Sequence, residues 1–172
     1  MSIPEIRFKA HKLMPPVVAW VVALLLLAGC SKYKAVEEKL RFAFPEYAKC
    51  DALRVIDGDR FYCQLSNREI ERVRLIGVEI PEQIAEEAAK FAESKLVRGT
   101  PVKLEFDEET RDNHGSIPSY VYLPDGKMLN ALLIEGVYAK AVTVMPNVKF
   151  KDLFLKIEAE ARKQGKGLWG KD

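Results

Sequence analysis

The sequence is poor in the residues that bind transition metals through nitrogen or sulfur. It has two histidines and three cysteines among 172 residues. Of the two histidines, only His114 lies beyond the first thirty residues. Structural zinc sites need four ligands of the Cys or His type. A zinc centre is therefore not expected.

The sequence also lacks an excess of charge of either sign. Three of its 27 basic residues and one of its 25 acidic residues fall within residues 1–29, so 24 of each remain beyond them. Non-specific nucleic-acid binders usually carry a basic excess, because neutralising phosphates supplies most of their affinity. Composition alone thus does not indicate a protein that binds DNA or RNA.

A membrane-spanning helix needs about 20 apolar residues, and the apolar run at residues 17–27 is shorter. The run follows a positively charged start and suits a leader over residues 1–29. Leu27-Ala-Gly-Cys30 resembles the lipobox of bacterial lipoproteins, in which the cysteine is lipidated and becomes the mature N-terminus. An uncleaved short anchor with an incidental Cys30 is the alternative. Either way, we expect an exported domain held at a membrane of the cell envelope.

The two remaining cysteines, Cys50 and Cys63, flank the turn Asp57-Gly58-Asp59 at nearly equal distances. Cysteines outside the cytoplasm meet an oxidising environment, and two strands of a hairpin would bring this pair together. A disulfide between them is expected, with two free buried thiols as the alternative.

Apolar residues alternate in short segments and recur every three to four residues in longer ones. The pattern predicts strands at residues 53–56, 61–65, 72–78, 102–106 and 120–123, and helices at 84–96, 128–135 and 150–161. Residues 30–49 read as a linker or stalk helix, and residues 50–170 as one domain. Five short strands with appended helices predict an α+β fold, mainly a curved OB-type barrel.

The stretch VRLIGVEIPE at residues 73–82 reads as a buried strand, yet it carries Arg74, Glu79 and Glu82. These charged side chains are either solvent-exposed without a functional role or line one side of a functional site. Pro81 suits a first helical turn, where the helix dipole alone would favour Glu82. The stretch by itself does not decide between these readings.

Five blocks of sequence appear in the order and spacing of the thermonuclease (staphylococcal nuclease-like) family. They are Ile56-Asp-Gly-Asp59, Val73-Arg-Leu-Ile-Gly-Val-x-x-Pro-Glu82, Asp112-x-x-Gly115, Asp125-Gly-Lys-Met-Leu-Asn130 and Gly167-Leu-Trp169. The similarity covers nearly the whole domain, and a common order of several blocks is more specific than any single one.

The resemblance implies hydrolysis of phosphodiesters in nucleic acid, single-stranded DNA or RNA, with calcium as cofactor. By similarity, Asp59, Glu79 and the backbone carbonyl of Ile80 would bind Ca²⁺, which prefers oxygen ligands. Arg74 would clamp the phosphate and Glu82 would act as general base. The charged residues of the opening stretch would then share one scissile phosphate.

Several positions depart from the family pattern. Glu79 stands where the family carries Asp, Ile80 where it carries Thr, and Arg60 follows Asp59 where Thr is usual. The extra methylene of Glu79 displaces its carboxylate, which the flexible coordination of calcium tolerates. Arg60 places an unusual cation beside the metal ligands.

The largest departure is Ser116, which occupies the motif position of a second catalytic arginine. A serine donates a hydrogen bond but no charge, and losing one transition-state donor costs about a hundredfold or more in rate. If Ser116 is the main defect, Ser116→Arg should restore activity. Arg60 and Arg111 are the nearby cations that could replace the missing arginine, although neither occupies its motif position.

Further along, Pro118 enters the predicted strand after Ser116 and should perturb it. Val142 and Val144 stand where two nucleotide-stacking tyrosines occur in family members, which lowers the expected nucleotide affinity. Two functions therefore remain open: a weakened calcium-dependent nuclease, or a catalytically degenerate binding or structural module of the cell envelope.

Overall fold

The computed structural model describes residues 47–163. The predicted leader, Cys30, most of the predicted stalk and the Gly167-Leu-Trp169 block lie outside this range. The strands are β1 Tyr47–Val55, β2 Arg60–Leu65, β3 Ile70–Leu75, β4 Val78–Glu79, β5 Pro101–Glu105, β6 Ile117–Tyr122 and β7 Lys140–Ala141, and the helices are α1 Ala85–Lys95, α2 Leu129–Glu135 and α3 Lys151–Lys163. A short 3₁₀ helix at Glu82–Ile84 precedes α1.

Five of the strands close into a barrel in the order β1-β2-β3-β6-β5, while β4 and β7 pair as a separate two-stranded sheet. The pairs within the barrel are antiparallel except β3–β6, which is parallel. The predicted fold class, a five-stranded barrel with helices, is confirmed. Strand β1 begins at Tyr47, so the barrel includes residues that the sequence analysis assigned to the linker.

Alternation along β2 and β3 separates the core from the outer face of the barrel. Phe61 and Val73 lie opposite each other and are fully buried. Their neighbours point outward, because successive side chains of a strand face opposite sides. Arg60 thereby lies beside Arg74 on the outer face.

Gly77 divides the predicted strand 72–78 into β3 and β4. Its φ of +77° is a left-handed conformation that favours glycine. A Cβ at this position would also come within 2.6 Å of the Phe154 ring in α3. The chain therefore leaves the barrel at Gly77 and directs Glu79 toward β7.

Asn130 connects this bend to the rest of the core. Its side chain is fully buried at the start of α2. The amide oxygen accepts from the Val121 N–H at 2.9 Å, and the amide nitrogen donates to the carbonyls of Ile76 at 2.8 Å and Ser119 at 3.2 Å. One side chain thus satisfies backbone groups of β6 and of the segment after β3.

Pro118 lies inside β6 without breaking it. Because the Ile76 N–H donates to the Ser119 carbonyl, the backbone of the adjacent Pro118 faces the β5 side. The pairing of β6 with β5 covers only Tyr120 to Tyr122. The missing N–H of Pro118 therefore removes no rung of the ladder, and the expected perturbation is not observed.

Cys50 and Cys63 are both buried in the barrel core and are free thiols in this structure. In the β1–β2 register, Cys50 pairs with Leu65 and Cys63 pairs with Ala52, so the two cysteines are diagonal neighbours. Contact between the thiols, together with burial, raises the pKa of Cys50. The disulfide stays a prediction for protein exposed to an oxidising space.

Among the helices of residues 47–163, none has the length and apolar character required to cross a lipid bilayer.

Candidate active site

The turn between β1 and β2 fixes Asp59 against α1. The Asp59 N–H donates to Oδ1 of Asp57 at 3.3 Å, a side-chain contact typical of tight turns. A Cβ on Gly58 would lie 2.8 Å from the Cβ of Ala88 and 3.1 Å from the Ile80 side chain. Glycine at this position therefore lets the turn approach the segment that carries Ile80.

Arg74 projects from the outer face of β3 next to this turn. Its Nε lies 3.6 Å from Oδ2 of Asp59, and its side chain is 49 % exposed. The Leu75 N–H donates to the Asp59 carbonyl at 2.8 Å, which joins the turn to the end of β3. The guanidinium is thus held beside a carboxylate while its other donors remain accessible.

Glu79 reaches the same place from β4, where it lies opposite Lys140 of β7. An open cavity of about 440 Å³ lies beside this strand. Its lining consists of Asp57, Gly58, Asp59, Arg60, Arg74, Val78, Glu79, Ile80, Ala85, Val142 and Val144. The structure therefore brings four of the predicted site residues, from three separate segments, around one cavity.

The two aspartates of the turn have opposite pKa shifts. Burial and the neighbouring Asp57 raise the pKa of Asp59 to about 6, against the opposing effect of Arg74. Burial alone would also raise the pKa of Asp57, but hydrogen bonds from Arg60 and Asp59 bring it below its ordinary value. Of the two aspartates, Asp59 is therefore the one whose ionised form is less favourable in the folded protein.

The donor set at this cavity fits a calcium ion. Asp59, Glu79 and Ile80, which together offer two carboxylates and a backbone carbonyl, line the same space. A buried carboxylate with a raised pKa is one that a cation would stabilise in the charged form. Within residues 47–163 no cluster of three acidic, histidine or cysteine side chains forms a metal centre by itself. Backbone oxygen and water would have to complete the coordination, as calcium allows.

Glu82 lies outside the cavity lining. It begins the short 3₁₀ helix after Pro81, and its side chain is exposed. No residue of the described range forms a hydrogen bond or ion pair with its carboxylate. Ile80 and Ala85, which bracket the 3₁₀ helix, do line the cavity. Within residues 47–163 Glu82 thus has an exposed carboxylate without a partner, and it lies between two lining residues along the chain.

Ser116 is almost completely buried at the start of β6. Oδ1 of Asp112 accepts from the N–H groups of both His114 and Ser116, at 2.9 Å and 2.8 Å, and so fixes the loop before β6. Gly115 allows the loop to turn, with a φ of +75°. The backbone of Ser116 is therefore held by Asp112, and Ser116 is not among the residues that line the cavity.

An arginine that the sequence analysis missed covers this serine. Nε of Arg72 donates to Oγ of Ser116 at 2.7 Å, and Nη2 donates to the carbonyl of His114. Both acceptors are uncharged. Arg72 lies two residues before Arg74 on β3 and therefore shares its outer face.

The two cations considered earlier as replacements are engaged elsewhere. Arg111 forms a bidentate pair with Glu71 at 2.8 and 3.0 Å and also donates to the carbonyl of Gly115. Arg60 pairs with Asp57 through Nε and Nη2. Each already has a carboxylate partner, so the suggestion that Arg60 or Arg111 supplies the missing charge is not supported by these contacts.

Comparison with known proteins identifies the family of this chain. The family model described as staphylococcal nuclease homologue matches residues 72–171. The chain belongs to this family. It is 35 % identical over 124 residues to a thermonuclease of Staphylococcus intermedius, an alignment that covers 67 % of this chain and 73 % of that relative.

Further members of the family are similar at comparable levels. A thermonuclease of Staphylococcus hyicus is 31 % identical over 127 residues, covering 68 % of this chain and 73 % of the relative. Endonuclease YncB of Bacillus subtilis is 32 % identical over 127 residues, covering 69 % of this chain and 60 % of the relative. The resemblance inferred from the five sequence blocks is therefore confirmed at the level of the nuclease family.

The spacing of Arg72 and Arg74 was the one sequence signal that could have revealed Arg72, because it places both on one strand face. The signal is weak, since charged residues on an outer strand face are usually solvated. The contact with Ser116 depends on the pairing of β3 with β6, which are not consecutive strands. Sequence periodicity carries no information on that pairing.

Proposed function

We propose that the protein is a calcium-dependent phosphodiesterase that hydrolyses nucleic acid at the cavity between Asp59, Arg74 and Glu79. The observation that carries the proposal is their convergence on one open space from the β1–β2 turn, β3 and β4. Two carboxylates beside an arginine provide a place for a cation and for a phosphate at once. Membership of a nuclease family supports the same chemistry.

Arg74 and Glu82 have separate roles in the proposed hydrolysis. Hydrolysis attaches a water oxygen to phosphorus and breaks one ester bond; the water gives up a proton and the released oxygen gains one from solvent. Arg74 donates hydrogen bonds to the non-bridging oxygens, where charge builds up in the transition state. Glu82, whose exposed carboxylate has no partner among residues 47–163, takes the proton of the attacking water.

Calcium, held by Asp59, Glu79 and the carbonyl of Ile80, would supply further positive charge at the phosphate oxygens. The close approach of the turn at Gly58 and the β4–β7 pair fix the backbones that carry Asp59 and Glu79. Single-stranded nucleic acid, either DNA or RNA, is the proposed substrate.

Cleavage of a fluorescent single-stranded oligonucleotide in the presence of calcium tests the proposal. Glu82→Gln keeps the size of the side chain but cannot accept a proton, so we expect a loss of about a hundredfold or more in kcat. Glu87→Gln is the matched control, because Glu87 is an exposed carboxylate in the first turn of α1. Wild-type protein that binds the oligonucleotide without cleaving it would instead identify a binding module of barrel type.

That second function has one observation in its favour. Val142 and Val144 line the cavity, so no aromatic ring is available there from these two positions for base stacking. A nuclease with such a lining should bind nucleotides weakly, since stacking contributes about 1 to 3 kcal/mol per base. The cleavage assay distinguishes weak binding with turnover from binding alone.

For location, we propose that the protein is exported and attached to the cell envelope through a lipid on Cys30. The support is the charged start, the apolar run at residues 17–27 and the lipobox-like Leu27-Ala-Gly-Cys30. Mass spectrometry of the mature chain should show diacylglycerol on Cys30, and Cys30→Ala should release the protein from the membrane fraction. A wild-type chain without lipid mass would refute the anchor.

A further inference from the structure

Position 116 and position 72 are neighbours across the parallel pair of β3 and β6. Val73 pairs with Ile117, so the residues immediately before them, Arg72 and Ser116, also lie side by side. Arginine at 116 would project from the start of β6; here the guanidinium extends from β3 and ends on the hydroxyl of Ser116. The charge that is absent from one strand is therefore present at the adjoining position of the next.

We infer that Arg72 is a second phosphate-binding arginine of this protein and takes the role of the cation that Ser116 cannot provide. The inference rests on the proposed function and extends it. Together with Arg74, Arg72 would donate hydrogen bonds to the phosphate undergoing hydrolysis. No bond beyond those of the hydrolysis itself forms or breaks.

The charge of Arg72 is available for this role. Its two hydrogen bonds go to a hydroxyl and a carbonyl, and no carboxylate of residues 47–163 lies within 4.0 Å of its guanidinium. Arg111 and Arg60 differ in this respect, since each donates close hydrogen bonds to a carboxylate. A guanidinium has five donors, so the Nη1 group of Arg72, which has no partner within this range, remains for a phosphate oxygen.

The acceptors of Arg72 are themselves fixed, which orients the guanidinium before substrate arrives. Asp112 holds the backbone of His114 and Ser116, and Arg111 holds the carbonyl of Gly115. An arginine positioned in this way loses little side-chain entropy on binding a phosphate. The contacts with the Ser116 hydroxyl and the His114 carbonyl thus orient the guanidinium of Arg72 without compensating its positive charge.

Arg72 is also near the proposed reaction site. Residues two apart on one strand face are separated by about 7 Å along the strand, within reach of two long side chains. Asp112, which orders the loop beneath Arg72, lines a cavity of about 90 Å³ together with Arg74. The loop that holds Arg72 therefore adjoins the arginine that contacts Asp59.

Relocating the charge provides the sharpest test. Arg72→Gln should lower kcat for calcium-dependent cleavage by about a hundredfold or more. Arg54→Gln is the control and should leave kcat within threefold, because Arg54 of β1 contacts the Tyr62 ring and forms no ion pair with another residue of the described range. The double variant Arg72→Ser with Ser116→Arg moves the guanidinium to the adjoining strand and should recover kcat to within about tenfold of wild type. Ser116→Arg alone should give no gain, because it forces a second guanidinium against Arg72.

A purely structural role for Arg72 predicts different results. Ser116→Ala removes the contact with Nε but keeps the charge, so the inference expects less than a tenfold change in kcat. A loss as large as that of Arg72→Gln would overturn it. Melting temperatures of all variants would show whether any loss arises from unfolding.

Binding without metal gives a readout that does not need turnover. In EDTA, the affinity of wild type for a labelled single-stranded oligonucleotide should fall with salt, and Arg72→Gln should make the slope of log K against log salt smaller by about 0.7. An unchanged slope together with unchanged kcat would refute any phosphate contact. Binding with the expected slope but no cleavage by wild type would refute the proposed function and, with it, the role of Arg72 in hydrolysis.

Discussion

Asp59 carries its negative charge at a place where burial and a second aspartate both oppose ionisation. Arg74 offsets only part of that cost, because its guanidinium lies 3.6 Å away and is half exposed. A divalent cation bound between Asp59 and Glu79 would remove the repulsion within the turn. At the scale of single residues, the site is therefore expected to be more stable with calcium than without it.

Calcium should raise the melting temperature of the protein at pH 7, since a ligand that binds only the folded state stabilises it in proportion to its occupancy. Asp59→Asn should abolish this increase. Asp125→Asn, in an exposed turn, should not change it, because asparagine can keep the side-chain contact with the Lys127 N–H. Differential scanning calorimetry over a calcium titration to millimolar concentration checks this, and an increase that survives in Asp59→Asn would contradict the assignment.

At the scale of elements, Asn130 joins β6, the bend after β3 and the start of α2 through one buried amide. The bend determines where Glu79 enters the cavity, so the amide supports the site as well as the core.

Asn130→Ala leaves the Val121 N–H and two carbonyls without these partners, and we expect it to lower the free energy of unfolding by about 3 kcal/mol. Asn113→Ala, in an exposed loop, should change it by less than about 0.5 kcal/mol. Urea unfolding measures both. Equal effects of the two substitutions would show that the buried amide is not essential.

Strand β6 is also connected to α3 through Tyr120. Its ring packs edge-on against Phe150, with centroids 4.6 Å apart, and its hydroxyl donates to Oδ2 of Asp107 at 2.8 Å. Burial, followed by this hydrogen bond, raises the pKa of Tyr120 above its ordinary value of 10.0. The folded state therefore keeps this proton when the unfolded chain loses it.

The sign of the pH effect follows from that shift. The stabilisation from the raised pKa is complete below pH 10 and is lost as pH rises above it, by up to about 1.4 kcal/mol per pH unit. Tyr120→Phe has no proton to lose, so its stability should fall less steeply between pH 9.5 and 11.5. Thermal melts across that range test the prediction, and equal slopes for the variant and wild type would contradict it.

The elements show how far sequence alone could lead. Alternating apolar residues predicted five barrel strands, although β1 begins at Tyr47 and β6 at Ile117, both earlier than expected. The order of the five blocks predicted the family and four of the residues that line the cavity, whereas Glu82 lies outside the lining. The break at Gly77 was missed because an apolar run does not reveal a positive φ. Arg72 was missed because its partner Ser116 is 44 residues away and lies on a strand that pairs with β3 out of sequence order.

At the scale of the whole molecule, the distribution of charge matters more than its total. The chain has a formal net charge of only +2, which by itself suggests no affinity for nucleic acid. Yet β2 and β3 place Arg60, Arg72 and Arg74 on one outer face, where Arg60, paired with Asp57, and Arg74 line the cavity and Arg72 is the next outward residue of β3. Composition averages this cluster with acidic residues elsewhere, so only the folded arrangement reveals a surface suited to phosphate.

Whether this cavity hydrolyses phosphodiesters can be measured from the rate of oligonucleotide cleavage by wild type and Arg74→Lys, each with calcium and with EDTA. Lysine keeps the charge but cannot make two parallel hydrogen bonds to one phosphate. We predict cleavage by wild type only with calcium, and a rate at least about a hundredfold lower for Arg74→Lys. Equal rates for the two proteins, or cleavage that persists in EDTA, would contradict the account.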